Sequence, residues 1–212
     1  QLSTLINVDG DIKGMGTIDM QSPDQWTEGI GHTTHLSTAD KDGMMVALTQ
    51  SLGPNMGSKV ATSGLGFVYA VTLGRYLGVY HPGQRAASHI SPFIVTKDGK
   101  PVMALGAAGG SRIITAIVAV LSRVIDHGMT VEEALSAFRV YPEGDTFLVE
   151  SHEGAGWDPE FSQELNSEGF TIQEINQKGR FGRIHMVMWD DETQQWIGGA
   201  DPDWEGAVAG PE

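Results

Sequence analysis

Two Lys-Asp-Gly turns, each set between runs that alternate apolar and polar residues, constrain this chain more than any other feature. The first lies in "THLSTADKDGMMVALTQSL" and the second in "SPFIVTKDGKPVMALGAA". An Asp-Gly pair supplies the backbone conformation that a tight hairpin demands. The first predicts a hairpin from Thr33 to Leu52, and the second a hairpin around Asp98 and Gly99. "RIHMVMWDDETQQWIGGAD" predicts a third, turning at Asp190–Thr193. Helical periodicity appears in "GGSRIITAIVAVLSRVIDHG", which starts at paired glycines and stops at Gly128. "TVEEALSAFRV" predicts a shorter helix with Thr130 as its N-cap. "TFLVES" reads as a strand, "DPEFSQELNSEG" as a helix and "TIQEINQ" as a strand. The order ββ–ββ–αα–β–α–βββ describes an α+β chain of mainly antiparallel strands with helices packed on them.

The remaining stretches read differently. Residues 1–32 are rich in Asp, Gly, Ser and Pro, which is loop or linker chemistry, with one short strand expected at Thr4–Val8. Residues 53–85 form a glycine-rich passage with scattered aromatics, expected to be irregular or in part a short helix, and a candidate lid. The opening "QLSTLINVDGDIKG" is no signal peptide and reads as the interior of a longer precursor. Any targeting segment would then lie upstream.

Charge and composition exclude several functions. A formal net charge of -14 leaves nothing to displace phosphate counterions, so nucleic acid is not an expected partner. The absence of cysteine removes disulfides, thiolate catalysis and cysteine-ligated zinc. The longest apolar run, "IITAIVAVLSRVI", is too short to span a bilayer. "GGSRII" lacks the lysine of a phosphate-binding loop.

The segment "GIGHTTHLSTADKDG" carries the candidate chemistry. His32 and His35 suggest a metal, but on a strand residues three apart point to opposite faces. No metal and no cofactor are therefore expected. Thr33 and Thr34 could simply be strand formers. They stand, however, where loop-like sequence gives way to strand. A threonine at a chain start combines a hydroxyl nucleophile with its own α-amine as base. That amine has a pKa of about 7.7–8.0, close to working pH. Thr33 would acquire it only through a cut of the His32–Thr33 bond.

From Thr33 onward the chain resembles the small subunit of the γ-glutamyltransferases (glutathione hydrolases), which are N-terminal nucleophile hydrolases. The matching segments are "TTHLSTADKDGMMVALTQSL", "RAASHISPFIVTKDGKPVMALGAAGGSRII" and "GGADPDWEGAVAG". The resemblance implies a four-layer αββα sandwich, of which this chain is the small-subunit part. Residues 1–32 would be the tail of the large subunit, and 33–212 the catalytic small subunit. It implies that Thr33 cuts the His32–Thr33 bond and then attacks a γ-glutamyl amide to form an acyl-enzyme. Ser51 would be the hydroxyl beside the nucleophile, and the N–H groups of Gly109 and Gly110 the oxyanion hole. Ser88 and His89 fall where the family places two serines on the substrate carboxylate. The family's Asn, Gln and Asp contacts to the glutamate α-amine fall on Gly53, Ala70 and Leu73, which cannot make them. The acyl-transfer residues are thus kept while the acyl specificity is altered. A cephalosporin (glutaryl) acylase-like amidase and a non-catalytic, unprocessed homologue are the alternatives. The implied partner is the large subunit of the same precursor, and the implied compartment is periplasmic or extracellular.

Overall fold

A computed structural model describes residues 33–53, 57–71, 83, 88–152, 157–204 and 206–210. The short strand expected at Thr4–Val8 lies outside them. Among the described residues the strands are β1 (Thr33–Ala39), β2 (Met45–Ser51), β3 (Phe93–Lys97), β4 (Lys100–Ala108), β5 (Val140–Glu143), β6 (Thr146–Glu150), β7 (Thr171–Ile175), β8 (Arg183–Asp190) and β9 (Gln195–Ala200). The helices are α1 (Ile113–Ile125), α2 (Val131–Ser136) and α3 (Pro159–Ser167).

All three expected hairpins form. In the first turn the Asp40 carboxylate accepts the N–H groups of Asp42 and Met44, each at 2.9 Å. In the third, Asp190 accepts the N–H of Glu192 at 3.0 Å and the hydroxyl of Thr193 at 2.6 Å. Thr130 does cap its helix, in a reciprocal box with Glu133 that satisfies two otherwise orphan donors. That helix is shorter than its periodicity suggests, because Ala137 is already extended. The chain then enters β5, a strand hidden in sequence by Pro142, and pairs it antiparallel with β6. β6 and β7 run parallel. The paired glycines Gly109 and Gly110 lead into a single 3-10 turn, Gly110–Arg112, rather than directly into α1.

The sheets have the orders β1-β2, β3-β4-β8-β9 and β5-β6-β7. One face of the four-stranded sheet carries the apolar core. Met103, Leu105 and Ala107 of β4 and Ile184 and Met186 of β8 meet Ile113, Ala116, Ile117 and Val120 of α1 and Val131, Ala134 and Leu135 of α2. The opposite face receives the β1–β2 hairpin, which packs against β4 and β8. Alternation along β4 makes this possible: the residues between the core positions are Ala104, Gly106 and Ala108, all small. The layers are therefore hairpin, sheet and helices.

The hairpin has an inverted polarity. Its inward face carries Thr33, His35 and Ser37 from β1 and Met45, Ala47, Thr49 and Ser51 from β2, while Leu36, Val46 and Leu48 point outward and are 41–45% exposed. The inward polar groups satisfy one another. Buried His35 pairs through Nδ1 with Thr49 Oγ1 at 2.7 Å and through Nε2 with Ser37 Oγ at 2.9 Å. Its ring lies on Gly106 so closely that a Cβ there would be 2.3 Å from His35 Cε1. Burial, and then the neighbouring His185, lower the His35 pKa to about 4, so the ring is neutral at physiological pH.

The third sheet is joined to the second through Arg139. This guanidinium is buried and its Nη2 lies 2.8 Å from Asp201 Oδ2, which also accepts the Ile184 N–H of β8 at 3.0 Å.

Two outcomes test this arrangement. Gly106→Ala should destabilise the full-length protein by about 1–3 kcal/mol through overpacking. In a His35→Ala background the same change should cost much less, a non-additivity that thermal denaturation of the cycle measures. In nitrogen-15 histidine spectra, His35 should remain neutral as pH falls from 7 to about 4. The unfolded chain binds that proton near pH 6.5, so stability should fall across this window by up to about 3 kcal/mol and be unaffected above it. A His35 midpoint near 6.5 contradicts its buried, paired environment.

Candidate functional site

Thr33 opens β1 directly opposite Ser51, the last residue of β2. Both face inward, on the same side of the hairpin as His35 and Thr49. The Thr33 hydroxyl donates to Ser51 Oγ at 2.9 Å. Ser51 Oγ also accepts the Gly53 N–H at 3.1 Å, which fixes its rotamer. The two hydroxyls expected to work together are eighteen residues apart in sequence, and the hairpin register joins them. His32 lies outside the described residues.

Gly109 and Gly110 follow β4, the strand on which the hairpin rests. Their carbonyls are tied into the turn: Gly109 accepts from Arg112 N–H at 3.2 Å and Gly110 accepts from Ile113 N–H. Gly109 has φ 146°, and a Cβ on it would lie 2.8 Å from Gly182 Cα. This close backbone approach, rather than the helix entry read in the sequence, accounts for glycine here. The turn places two consecutive glycine N–H groups ahead of a helix whose dipole favours negative charge. Arg112, the last residue of the turn, is buried with its guanidinium 4.9 Å from the centroid of the Tyr141 ring, so the turn is anchored from below.

Ser88 and His89 occupy the approach to β3. Their hydrogen bonds include local ones: Ser88 Oγ accepts the Ile90 N–H at 3.1 Å, and the Ser91 hydroxyl donates to the His89 carbonyl at 3.1 Å. Ser88 is exposed and His89 half-buried. The structure therefore brings Thr33 and Ser51 into contact and leaves Ser88 and His89 on a separate segment. Gly53 and Ala70 are described and Leu73 is not. Val71 N–H bonds the Leu52 carbonyl at 2.9 Å, which folds the irregular passage back beside Ser51 and Gly53.

Sequence reasoning undervalued His35. It organises the wall behind Thr33 through Thr49 and Ser37. The signal was present in the alternation of β1, where Thr33, His35 and Ser37 share one face, and in the small residues of β4.

Comparison with known proteins agrees with this geometry. The γ-glutamyltranspeptidase family model matches residues 1–211. The glutathione hydrolase proenzyme of Pseudomonas sp. (strain A14) is 36% identical over 163 residues, which are 69% of this chain and 26% of that protein. The acylase ACY 1 proenzyme of Pseudomonas sp. (strain V22) is 32% identical over 145 residues, 63% of this chain and 26% of that protein. The chain thus spans about a quarter of the length of these curated relatives. Among solved structures, the γ-glutamyltranspeptidase of Pseudomonas nitroreducens complexed with L-DON superposes with a TM-score of 0.69 at 30% identity, covering 84% of this chain and 100% of that one. The α+β layering around the Thr33–Ser51 pair is that of the N-terminal nucleophile hydrolases, and the chain belongs to the γ-glutamyltranspeptidase family.

Proposed function

We propose that residues 33–212 are the catalytic small subunit of an autoprocessing amidohydrolase or acyltransferase acting on γ-glutamyl amides. The observation that carries this reading is the 2.9 Å hydrogen bond between the hydroxyls of Thr33 and Ser51. In the precursor the Thr33 hydroxyl attacks the His32 carbonyl, the acyl group shifts from nitrogen to oxygen, and water hydrolyses the ester. This frees the Thr33 α-amine. In the mature enzyme that amine takes the hydroxyl proton as Thr33 Oγ1 attacks the substrate amide. The N–H groups of Gly109 and Gly110 are assigned to the oxyanion of the tetrahedral intermediate, which collapses with loss of the protonated amine. Water or an acceptor amine then releases the acyl group. Ser51 holds the nucleophile's oxygen in position throughout. The neutral state of His35 suits this chemistry, since a second cation behind the α-amine would depress its basicity.

The partner in this reading is a large subunit from the same precursor. It is supported by apolar surface on two outer faces: Leu36, Val46 and Leu48 on the hairpin, and Ile114, Val118 and Ile125 on α1, all exposed. A helical layer over the hairpin supplies the fourth layer of the sandwich. Ser88 and His89 are assigned to the carboxylate of the substrate, on a segment that this partner would also border.

The glutaryl acylase reading is favoured by one feature. Gly53 offers no side chain where the family grips the glutamate α-amine, and its N–H is used on Ser51.

Mass spectrometry of the purified full-length protein should find a polypeptide beginning at Thr33. Thr33→Ala should abolish that species and reduce hydrolysis of γ-glutamyl-p-nitroanilide at least about 10³-fold. Ser51→Ala should reduce turnover about 10²-fold, as for loss of one hydrogen-bonding group at a reacting centre. Full activity of Thr33→Ala would refute the assignment.

Specificity gives a second test. A site built to bond an amine rejects the analogue lacking it by about 10⁴-fold or more. Without that grip, kcat/KM for γ-glutamyl and glutaryl p-nitroanilides should agree within about tenfold. A γ-glutamyl preference above about 10³-fold would show that another group holds the amine.

A further inference from the structure

A second cluster of ionisable side chains stands where the third sheet meets the segment after β9. Glu150 ends β6, His152 follows two residues later, and Asp203 lies beyond β9. Each offers one ligand atom, and these atoms all lie within 4.8 Å of one another. The Glu150 side chain is 4% exposed and that of Asp203 10% exposed. Two carboxylates this close and this buried demand a cation or a shared proton.

The neighbouring guanidinium meets that demand only in part. Arg139 Nη2 is engaged by Asp201 at 2.8 Å and by the Leu135 carbonyl at 2.6 Å, and Arg139 Nη1 stays 4.0 Å from Glu150 Oε1. Arg123, also near Glu150, gives its Nη groups to the carbonyls of Ala134, Ala137 and Phe138. Glu150 Oε2 accepts the Arg139 N–H at 3.0 Å, and burial, together with the Asp203 carboxyl that it also faces, raises the Glu150 pKa. On Asp203, the backbone N–H is held by Asp201 Oδ1 at 3.1 Å, Oδ1 lies 3.7 Å from His152 Nε2, and Oδ2 is buried without a hydrogen-bond partner among the described residues. This unpartnered oxygen belongs to a nine-tenths buried carboxylate directed at the imidazole and Glu150.

We propose that Glu150, His152 and Asp203 form a binding site for one divalent transition ion, with zinc as its reference occupant. The donor set selects the class. An imidazole nitrogen with two carboxylates suits zinc and its neighbours, whereas calcium needs six to eight oxygens and magnesium keeps most of its water. Ligand atoms around tetrahedral zinc stand about 3.4 Å apart, so the cluster must contract by roughly 1.5 Å at most. His152 can supply that movement, because its side chain is 33% exposed and faces solvent. The surrounding contacts serve as supports. The Phe138 ring sits edge-on to His152 at 5.2 Å between centroids, and Trp157 Nε1 donates to the Glu150 carbonyl at 2.7 Å. Bound metal ties the end of β6 to the chain leaving β9, beside the Arg139–Asp201 link.

The test uses full-length protein stripped with a chelator, titrated with zinc chloride by calorimetry and with cobalt(II) by visible absorption. One zinc per chain with Kd of about 1 μM or tighter is expected. Loss of a supporting residue around a metal costs 10–100-fold in affinity, so loss of a ligand by His152→Ala or Asp203→Asn should cost at least about 100-fold. Both variants should also lose the cobalt ligand-field bands. Circular dichroism confirms their folding. If Asp203→Asn fails to fold, the third-exposed His152→Ala decides. Absence of stoichiometric zinc in the wild type, or zinc affinity unchanged by these substitutions, overturns the proposal.

Discussion

The close seating of the β1–β2 hairpin on β4 is the contact on which the site depends. It requires a flat ring on one side and no side chain on the other, and His35 over Gly106 supplies both. Because the ring is held by Thr49 and Ser37 within the hairpin, the position of β1 relative to β2 and the position of the hairpin relative to the sheet are set by one residue. Thr33 and Ser51 lie at the open end of the same ladder, two residues beyond His35 and Thr49. An error in hairpin register would turn Thr33 to the wrong face, since side chains alternate. Thr33 is therefore placed by strand pairing and by a buried ring, with no loop in between.

This seating has a consequence for where apolar surface goes. A hairpin whose inner face is occupied by hydroxyls and an imidazole has little hydrophobic burial to gain there. Apart from Met45 and Ala47 its apolar strand residues Leu36, Val46 and Leu48 fall on the outer face, and the apolar cluster lies on the far side of the four-stranded sheet. The hairpin taken with this sheet alone is a stack of polar contacts with an apolar back. Exposed patches of this kind mark surfaces that are covered in an assembly. Polar groups inside and apolar surface outside are two aspects of one alternation pattern along β1 and β2.

Much of this was legible in the sequence where local chemistry decides the outcome. Asp42, Asp98 and Asp190 announced the hairpins, and Thr130 announced a helix start. The nucleophile candidate came from its position at a junction of sequence types and from family resemblance. What escaped was settled by distant neighbours. Nothing local distinguishes His35 from an ordinary strand histidine until Gly106, seventy-one residues away, is seen beneath it. Gly109 looked like a helix entry, but its need for glycine comes from the backbone of Gly182. β5 was obscured by Pro142, tolerable there because β5 is an edge strand among the described residues.

Two clusters of buried polarity serve opposite purposes in this fold. Around Thr33 every inward group is neutral: hydroxyls bond hydroxyls, and His35 gives up its proton rather than carry a charge against burial. Around Arg139 the groups are ionic, and Asp201 uses both its oxygens, on Arg139 and Ile184 through one and on Asp203 through the other. Such pairs are weak contributors to net stability but strict about geometry, since breaking one leaves a charge without compensation. Their place between the third sheet and the chain after β9 suits that strictness. The fold thus keeps charge away from the Thr33 hydroxyl and concentrates it where two sheets meet.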